Sequence, residues 1–261
     1  MTDSLDTRFI VEQFENFTPL SQKDKELLSS LVKPPVTYMK NTSVWQQGTS
    51  SERFYILSKG WAYAYRNMEE GTRQVLDIYV PGDIIGLREF AFRKRGSGLM
   101  TLSHAELYPF SMPQLSTLFA NSLSLCNIFF TIVARNQAIL LERMVNLGRR
   151  SAKEKLAHFL VELSERVRRV QGDIGHHLEL PVPQALLADA LGLSVVHVNR
   201  TCRELKEEAL LMPTGNGLTI LDLEGLRKVA RFDAYYLQHD DETLSAYLRT
   251  VPQFNINPGL G

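Results

Sequence analysis

Pro183-Gln184-Ala185-Leu186-Leu187-Ala188-Asp189-Ala190-Leu191-Gly192-Leu193-Ser194-Val195-Val196-His197-Val198-Asn199-Arg200-Thr201-Cys202-Arg203-Glu204-Leu205 reads as helix, tight turn, helix. Proline suits the first turn of a helix, where its missing N–H has no partner to lose. Ala188 is small where two helices cross closely, Gly192 supplies a positive-φ turn, and Ser194 is an N-cap for the second helix. A small residue, a glycine four later and the apolar Val198 six after that form the helix-turn-helix spacing. Downstream, Leu210-Leu211-Met212 and Leu218-Thr219-Ile220-Leu221 flank Gly215-Asn216-Gly217. Two short apolar strands around a glycine-rich turn predict a β-hairpin wing.

The second helix has two faces. Val198, Cys202 and Leu205 recur at i, i+4 and i+7 and are expected to pack inward. Val195, Val196, Asn199, Arg200 and Arg203 share the opposite face, with Ser194 and His197 at the helix start. In a DNA major groove arginine pairs with guanine, asparagine with adenine, and valine meets a thymine methyl. The plainer alternative is a solvated charged face carrying two stray valines. Residues 149–206 hold ten Lys and Arg against seven Asp and Glu, whereas 207–261 hold four against eight, so a basic surplus coincides with the motif. Cys202 on the inward face reads as a small buried hydrophobe.

Upstream, Ser151 and Glu154 have capping-box spacing for a helix carrying Leu156, Phe159, Leu160, Leu163 and Val167, which Gln171-Gly172-Asp173 ends. Gly148 is expected to break the helix before it. From Ser111 the pattern is helical. Cys126, Phe130, Val133, Gln137, Leu140, Met144 and Leu147 fall at alternating steps of four and three, a heptad seam. Arg135, Asn136, Glu142 and Arg143 border it, and so narrow a stripe favours a partner helix over packing within one domain. Gln137 would fix register at some cost in stability.

The first hundred residues read differently. Ser21 and Asp24 start a short helix with Leu27, Leu28 and Leu31 on one stripe. After Pro34-Pro35, β-rich runs such as Arg53–Leu57 and Trp61–Tyr65 are split by Gly48, Gly60, Gly71, Gly82 and Gly86. Such spacing of turn signals predicts an all-β sandwich or barrel, the glycines serving turn geometry alone. The 261 residues suit two domains, and 29 basic against 29 acidic residues leave no net charge. Any affinity for nucleic acid must then come from a local patch. Cys126 and Cys202 are too few for a disulfide framework or a four-thiolate cluster. The acidic N-terminus lacks signal-peptide character, and no uninterrupted apolar run approaches the length of a membrane span, so a cytoplasmic protein is expected.

The order β-barrel, long helix, winged helix-turn-helix resembles the cyclic AMP receptor protein and fumarate–nitrate reduction regulator family of bacterial transcription factors. The likeness spans about residues 15–230. It rests on Phe54-Tyr55-Ile56-Leu57-Ser58-Lys59-Gly60, on Val80-Pro81-Gly82-Asp83-Ile84-Ile85-Gly86 and on the helix-turn-helix. It implies an α+β fold. The expected units are a jelly-roll effector-type barrel over 1–112, a dimerisation helix over 113–148, the winged DNA-binding domain over 149–230 and a partly disordered extension over 231–261. By resemblance Arg200 matches the guanine-reading arginine, while Val196 stands where many relatives place a glutamate. Relatives that bind cyclic nucleotides carry Gly-Glu-Leu and then Arg-Ser or Arg-Thr. Here Gly86 is followed by Leu87-Arg88-Glu89, and the later pair is Gly96-Ser97. These five residues mark the expected effector pocket, with Arg95 or Glu89 as shifted substitutes, and cyclic AMP is expected to bind weakly or not at all. No cofactor or metal is expected: His104 is isolated, and the pair His176-His177 lies near an expected turn.

The reading is therefore a homodimeric, non-enzymatic transcription regulator. Its expected partners are inverted-repeat double-stranded DNA, a second copy of itself, RNA polymerase and an effector of unread identity, with no membrane. The alternatives are a cyclic-nucleotide-responsive regulator with an altered pocket, a barrel enzyme binding small molecules, and a protein-interaction module.

Overall fold

A computed structural model describes residues 7–69, 71–89, 91–172 and 177–238. The helix expected at Ser21 is present, but another precedes it. In α1 (Arg8–Glu15), Ile10 and Phe14 bury one face one turn apart. Helix α2 (Gln22–Leu31) starts where Ser21 Oγ accepts the Asp24 N–H at 3.1 Å.

Eight strands follow: β1 (Val36–Tyr38), β2 (Ser43–Trp45), β3 (Arg53–Lys59), β4 (Ala62–Asn67), β5 (Arg73–Tyr79), β6 (Ile84–Ile85), β7 (Gly98–Thr101) and β8 (Ala105–Ser111). They form two antiparallel four-stranded sheets, in the orders β1-β8-β3-β6 and β2-β7-β4-β5. Tyr55, Leu57, Ala64, Leu99 and Leu107 fill the space between them. The five turn glycines all have positive φ. At Gly60 the constraint is doubled, because a Cβ would sit 2.0 Å from the His104 carbonyl oxygen.

The helix expected over 113–148 is two helices, α3 (Met112–Asn121) and α4 (Leu123–Arg149). Ser122 between them is extended, and its hydroxyl accepts the Leu125 N–H, so a capping serine restarts the chain. Gly148 does not break α4, contrary to expectation. One exposed glycine costs a helix only about 1 kcal/mol relative to alanine. The chain turns at Arg150, and the Ser151–Glu154 capping box starts α5 (Ala152–Gln171), which ends at Gly172 with φ +74°.

Leu125, Ile128, Phe129, Ile132 and Ile139 of α4 are buried. Phe129 packs its ring 5.5 Å from Phe14 and 5.4 Å from Phe119. By length and composition alone α4 is long and apolar enough to cross a membrane, which corrects the expectation that nothing here would be. Asn127, Thr131 and Gln137 interrupt the run of apolar residues without lowering its average enough. The fold divides those residues between the domain core and an outward stripe.

The C-terminal part contains β9 (Leu178–Leu180), α6 (Gln184–Leu191), α7 (Val195–Glu207), β10 (Leu211–Thr214), β11 (Gly217–Ile220) and α8 (Leu223–Ala230). Pro183 is the N-cap of α6 rather than a residue of its first turn. The predicted wing is β10 and β11, and β9 adds a third strand along β11. Asp222 caps α8, a helix the sequence reading missed although Leu223, Leu226 and Ala230 mark its buried side. Beyond it, Phe232 and Tyr236 pack on His158 of α5, with ring centroids at 4.9 and 6.3 Å. Residues 239–261, and with them most of the extension, lie outside the described residues. Ile78 and Val80 of the barrel share one continuous core with Leu187 and Leu191 of α6.

Candidate nucleic-acid interface

The helix-turn-helix is built as its residues dictate. Gly192 takes the left-handed conformation, φ 61° and ψ 37°, that turns the chain between α6 and α7. Ser194 Oγ accepts the His197 N–H at 3.2 Å and sets where α7 begins. Val198, Cys202 and Leu205 are buried, which fixes the rotation of α7 about its axis. Burial pushes the Cys202 thiol up to about 11, so it is a packing group and not a nucleophile. The opposite face is open. Val196 is 76% exposed, and Val195, His197, Asn199, Arg200 and Arg203 are exposed with it. Arg200 Nε lies 3.8 Å from Glu204 Oε1, a loose contact between two exposed groups that leaves the guanidinium free to turn outward. All seven residues singled out around this helix thus lie at its start or on its exposed side.

The domain bearing α7 is fastened to the barrel by charge. Arg73 of β5 pairs with Asp189 of α6, and Gln74 Nε2 donates to the Ala190 carbonyl at 3.4 Å. A buried network lies deeper. Arg143 of α4 reaches Asp77 of β5 at 2.8 Å and Glu162 of α5 at 2.7 Å, and Arg166 of α5 reaches Asp83 at 2.6 Å. Burial pushes the Asp77 carboxyl up, but Arg143 and Arg166 outweigh it and hold the group below the usual range. Asp83 is raised, because burial prevails there despite Arg166.

Along α4, Phe130 and Met144 are each 68% exposed, Val133, Gln137 and Leu147 are exposed, and Cys126 and Leu140 are half-buried. Five of the seven predicted seam residues therefore point away from the protomer's own core, whereas Leu140 borders a small cavity shared with Leu87 of the barrel. Leu123, Leu141 and Val145 widen it, and the sequence reading missed them. Leu141 and Val145 lie beside the heptad positions, where a strict period of 3.5 does not look, while Leu123 continues the seam one step of three before Cys126.

In the barrel, Arg88, Glu89, Gly96 and Ser97 line one cleft of about 610 Å³. Leu87 does not join them; it faces Asn136 and Leu140 of α4. Arg95 and Glu89 are turned to each other. Their side chains are buried with Nη1 and Oε2 3.6 Å apart, Ser97 Oγ donates to Glu89 at 3.0 Å, and the Arg95 guanidinium stacks 4.0 Å above Trp45. Arg88 donates to the Tyr79 hydroxyl at 2.8 Å. Among the described residues no three His, Cys, Asp or Glu side chains converge as metal ligands. His104 and His177 are exposed, and His176 lies outside the described residues.

A capped, winged helix-turn-helix with an open reading face, carried behind a double-sheet barrel and a long helix, defines a DNA-binding transcription regulator. Residues 154–229 match the Crp-like helix-turn-helix domain and residues 35–122 the cyclic nucleotide-binding domain. The chain is 30% identical to the transcriptional activatory protein AadR of Rhodopseudomonas palustris over 76% of its length and 80% of that protein. It is also 30% identical to the nitrogen fixation regulation protein FixK of Rhizobium meliloti, covering 74% of this chain and 85% of that one. FixK2 from Bradyrhizobium japonicum has a similar fold, with a TM-score of 0.68 at 20% identity, covering 78% of this chain and 99% of that one. The chain belongs to the cyclic AMP receptor protein and fumarate–nitrate reduction regulator family.

Proposed function

We propose that this regulator acts as a homodimer reading an inverted repeat, with Ser194, Val195, Val196, His197, Asn199, Arg200 and Arg203 at the DNA. The observation that carries the reading is the outward face of α7, where two valines stand exposed beside Asn199 and Arg200. Exposed apolar groups next to hydrogen-bonding ones match a base edge beside a thymine methyl. The outward stripe from Cys126 to Leu147 supports a two-fold pairing of α4. Two reading helices so related would address half-sites roughly 34–36 Å apart on one face of the duplex. The working units are 1–112, 113–148, 149–230 and 231–261, as expected from the sequence.

Control by an effector in the barrel is part of the proposal, with Arg88, Glu89, Gly96 and Ser97 at the cleft and Leu87 behind it. Cyclic AMP binds there weakly or not at all. Glu89 and Arg95 neutralise each other, so neither offers its charge to a ribose or a phosphate without breaking a buried pair. The protein works in the bacterial cytoplasm, beside RNA polymerase, and catalyses no reaction. Selection of bound sequences from random duplex DNA tests the reading. An inverted repeat whose half-site preference changes in Arg200→Ala supports it; binding without sequence preference refutes it.

A further inference from the structure

The 610 Å³ cleft of the barrel draws cations from two separate parts of the chain. Arg66 of β4 reaches it from one side, where its Nε donates to the neutral Gly96 carbonyl at 3.2 Å. Arg93 and Lys94 come from the segment before β7. That segment is fastened along its backbone. The Ser51 N–H donates to the Arg93 carbonyl at 3.3 Å, the Arg95 N–H to the Thr49 carbonyl at 2.8 Å, and the Gly48 N–H to the Arg95 carbonyl at 2.8 Å. Arg66, Arg93 and Lys94 have no ion-pair partner among the described residues. Glu89 is the one carboxylate among the described lining residues, and it is already met by Arg95 Nη1 at 3.6 Å and by the Ser97 hydroxyl at 3.0 Å. Arg88 adds a further cation, partly offset by Asp77 and Glu89. The positive surplus of the cleft therefore rests on Arg66, Arg93 and Lys94. Leu76, half-buried, and Phe92, 64% exposed, give the same space an apolar side.

We propose that this cleft takes a small organic ligand with two or more adjacent phosphate groups, its planar or apolar part lying on Phe92 and Leu76. The inference rests on the reading of the cleft as an effector site and names the chemistry of that effector. Guanidiniums offer phosphate oxygens forked, charge-assisted hydrogen bonds, and lysine offers a point charge. Cations drawn from separate parts of the chain favour a ligand with more than one charge to place among them. A cyclic phosphodiester brings a single charge, and the buried guanidinium of Arg95 is held by Glu89. The cleft also touches the joint between the barrel and the helices. The Leu76 carbonyl accepts from Arg143 Nη1 of α4 at 3.1 Å, and the neighbouring Asp77 holds the same nitrogen at 2.8 Å. A ligand seated on Leu76 thus favours whichever arrangement of this joint binds it better.

The test is calorimetric titration of the full chain at constant ionic strength with adenosine diphosphate, inorganic pyrophosphate and cyclic AMP in separate runs. Adenosine diphosphate should bind saturably, one per protomer, with cyclic AMP at least about tenfold weaker. Arg66→Gln, and Arg93→Gln with Lys94→Gln, should each weaken the diphosphate about tenfold or more, the loss of a charge-assisted hydrogen bond. Phe92→Ala should weaken adenosine diphosphate and leave pyrophosphate unchanged. Lys228→Gln, which removes an exposed cation of α8, should alter neither, and melting curves confirm that each variant folds. Three outcomes overturn the proposal. One is no saturable heat up to about 10 mM of either diphosphate. Another is an equal loss in Lys228→Gln, which would make the attraction a property of the whole surface. The third is cyclic AMP binding as tightly as adenosine diphosphate. DNA titrations with and without adenosine diphosphate judge the effector reading separately: a bound ligand that leaves DNA affinity unchanged upholds this site and refutes control through it.

Discussion

Arg73 Nε and Nη2 both donate to a single oxygen, Asp189 Oδ2, at 2.9 and 2.6 Å. The arginine belongs to the barrel strand β5 and the aspartate to the first helix of the helix-turn-helix, so one forked contact registers the reading domain on the barrel. Arg73 also donates to the Tyr63 hydroxyl at 3.1 Å and lies 5.3 Å from that ring, so its fork is held from behind. Any rearrangement that re-aims α7 relative to the barrel has to break this pair.

The contact is one-third exposed, so its effect on global stability is small, less than about 1 kcal/mol. Arg73→Ala and Asp189→Ala should each speed hydrogen exchange of the α6 amides, and the double variant should add nothing to either. Additive effects in that cycle would show that the two residues act separately.

The buried network predicts a larger cost. Arg143→Met leaves Glu162, fully buried, without its main cation, and should destabilise the fold by about 3–5 kcal/mol in urea unfolding. Adding Glu162→Leu should recover part of that loss, because the stranded charge is then gone. No recovery would mean that Arg143 matters chiefly through Asp77 and its packing on Phe159.

Self-association is tested best at positions that do nothing for the isolated protomer. Phe130 and Met144 are 68% exposed, so Phe130→Glu and Met144→Glu should leave the melting of the protomer almost unchanged. Sedimentation velocity should nonetheless show monomers where the parent sediments as a dimer. Dimers that persist in both variants would move the interface elsewhere.

Base reading and phosphate binding separate by their signatures. Arg200→Ala should cost about 1–3 kcal/mol at the selected site and relax preference at one base pair. Arg203→Ala should weaken all sequences alike and flatten the salt dependence. Val196→Glu should create a preference for cytosine that the parent lacks. Titrations across single-base variants of the site decide among these, and an unchanged preference in Arg200→Ala removes α7 as the reader.

His158 gives the protein an acid-sensitive joint. Burial, reinforced by Arg150, lowers its imidazole to about 4, although Glu142 opposes the shift. The folded state then binds fewer protons than the unfolded chain, whose histidine titrates near 6.5. Stability is accordingly full above about pH 6.5 and declines as pH falls from there toward 4, by about 2 kcal/mol at pH 5. Urea melts at pH 7 and pH 5 should show that loss, and His158→Phe should remove most of it. Equal pH dependence in the variant would assign the effect to other groups.

Much of this architecture was legible because local chemistry decides it. Ser151 with Glu154, Ser194 before Val195 and Gly192 in its left-handed turn satisfy backbone groups within a few residues, so a linear reading finds them. The two faces of α7 and the outward seam of α4 follow from helical period. Boundaries were less legible. Gly148 carries a helix penalty too small to end α4, while Ser122, unremarkable in sequence, ends one helix and begins the next. Helix α1 and strand β9 were missed because each is short and buries its apolar residues against partners far along the chain.

What the sequence alone determined is the series of units and the exposed chemistry of the reading helix, since capping and periodicity are properties of neighbours in the chain. The tertiary structure decided which charges meet. Arg143 finds Asp77 and Glu162, Arg166 finds Asp83, and Arg73 finds Asp189 across separations that no local pattern encodes. Burial then sets the energy of those meetings, because a charge removed from water must take its partner from whatever the fold brings within reach.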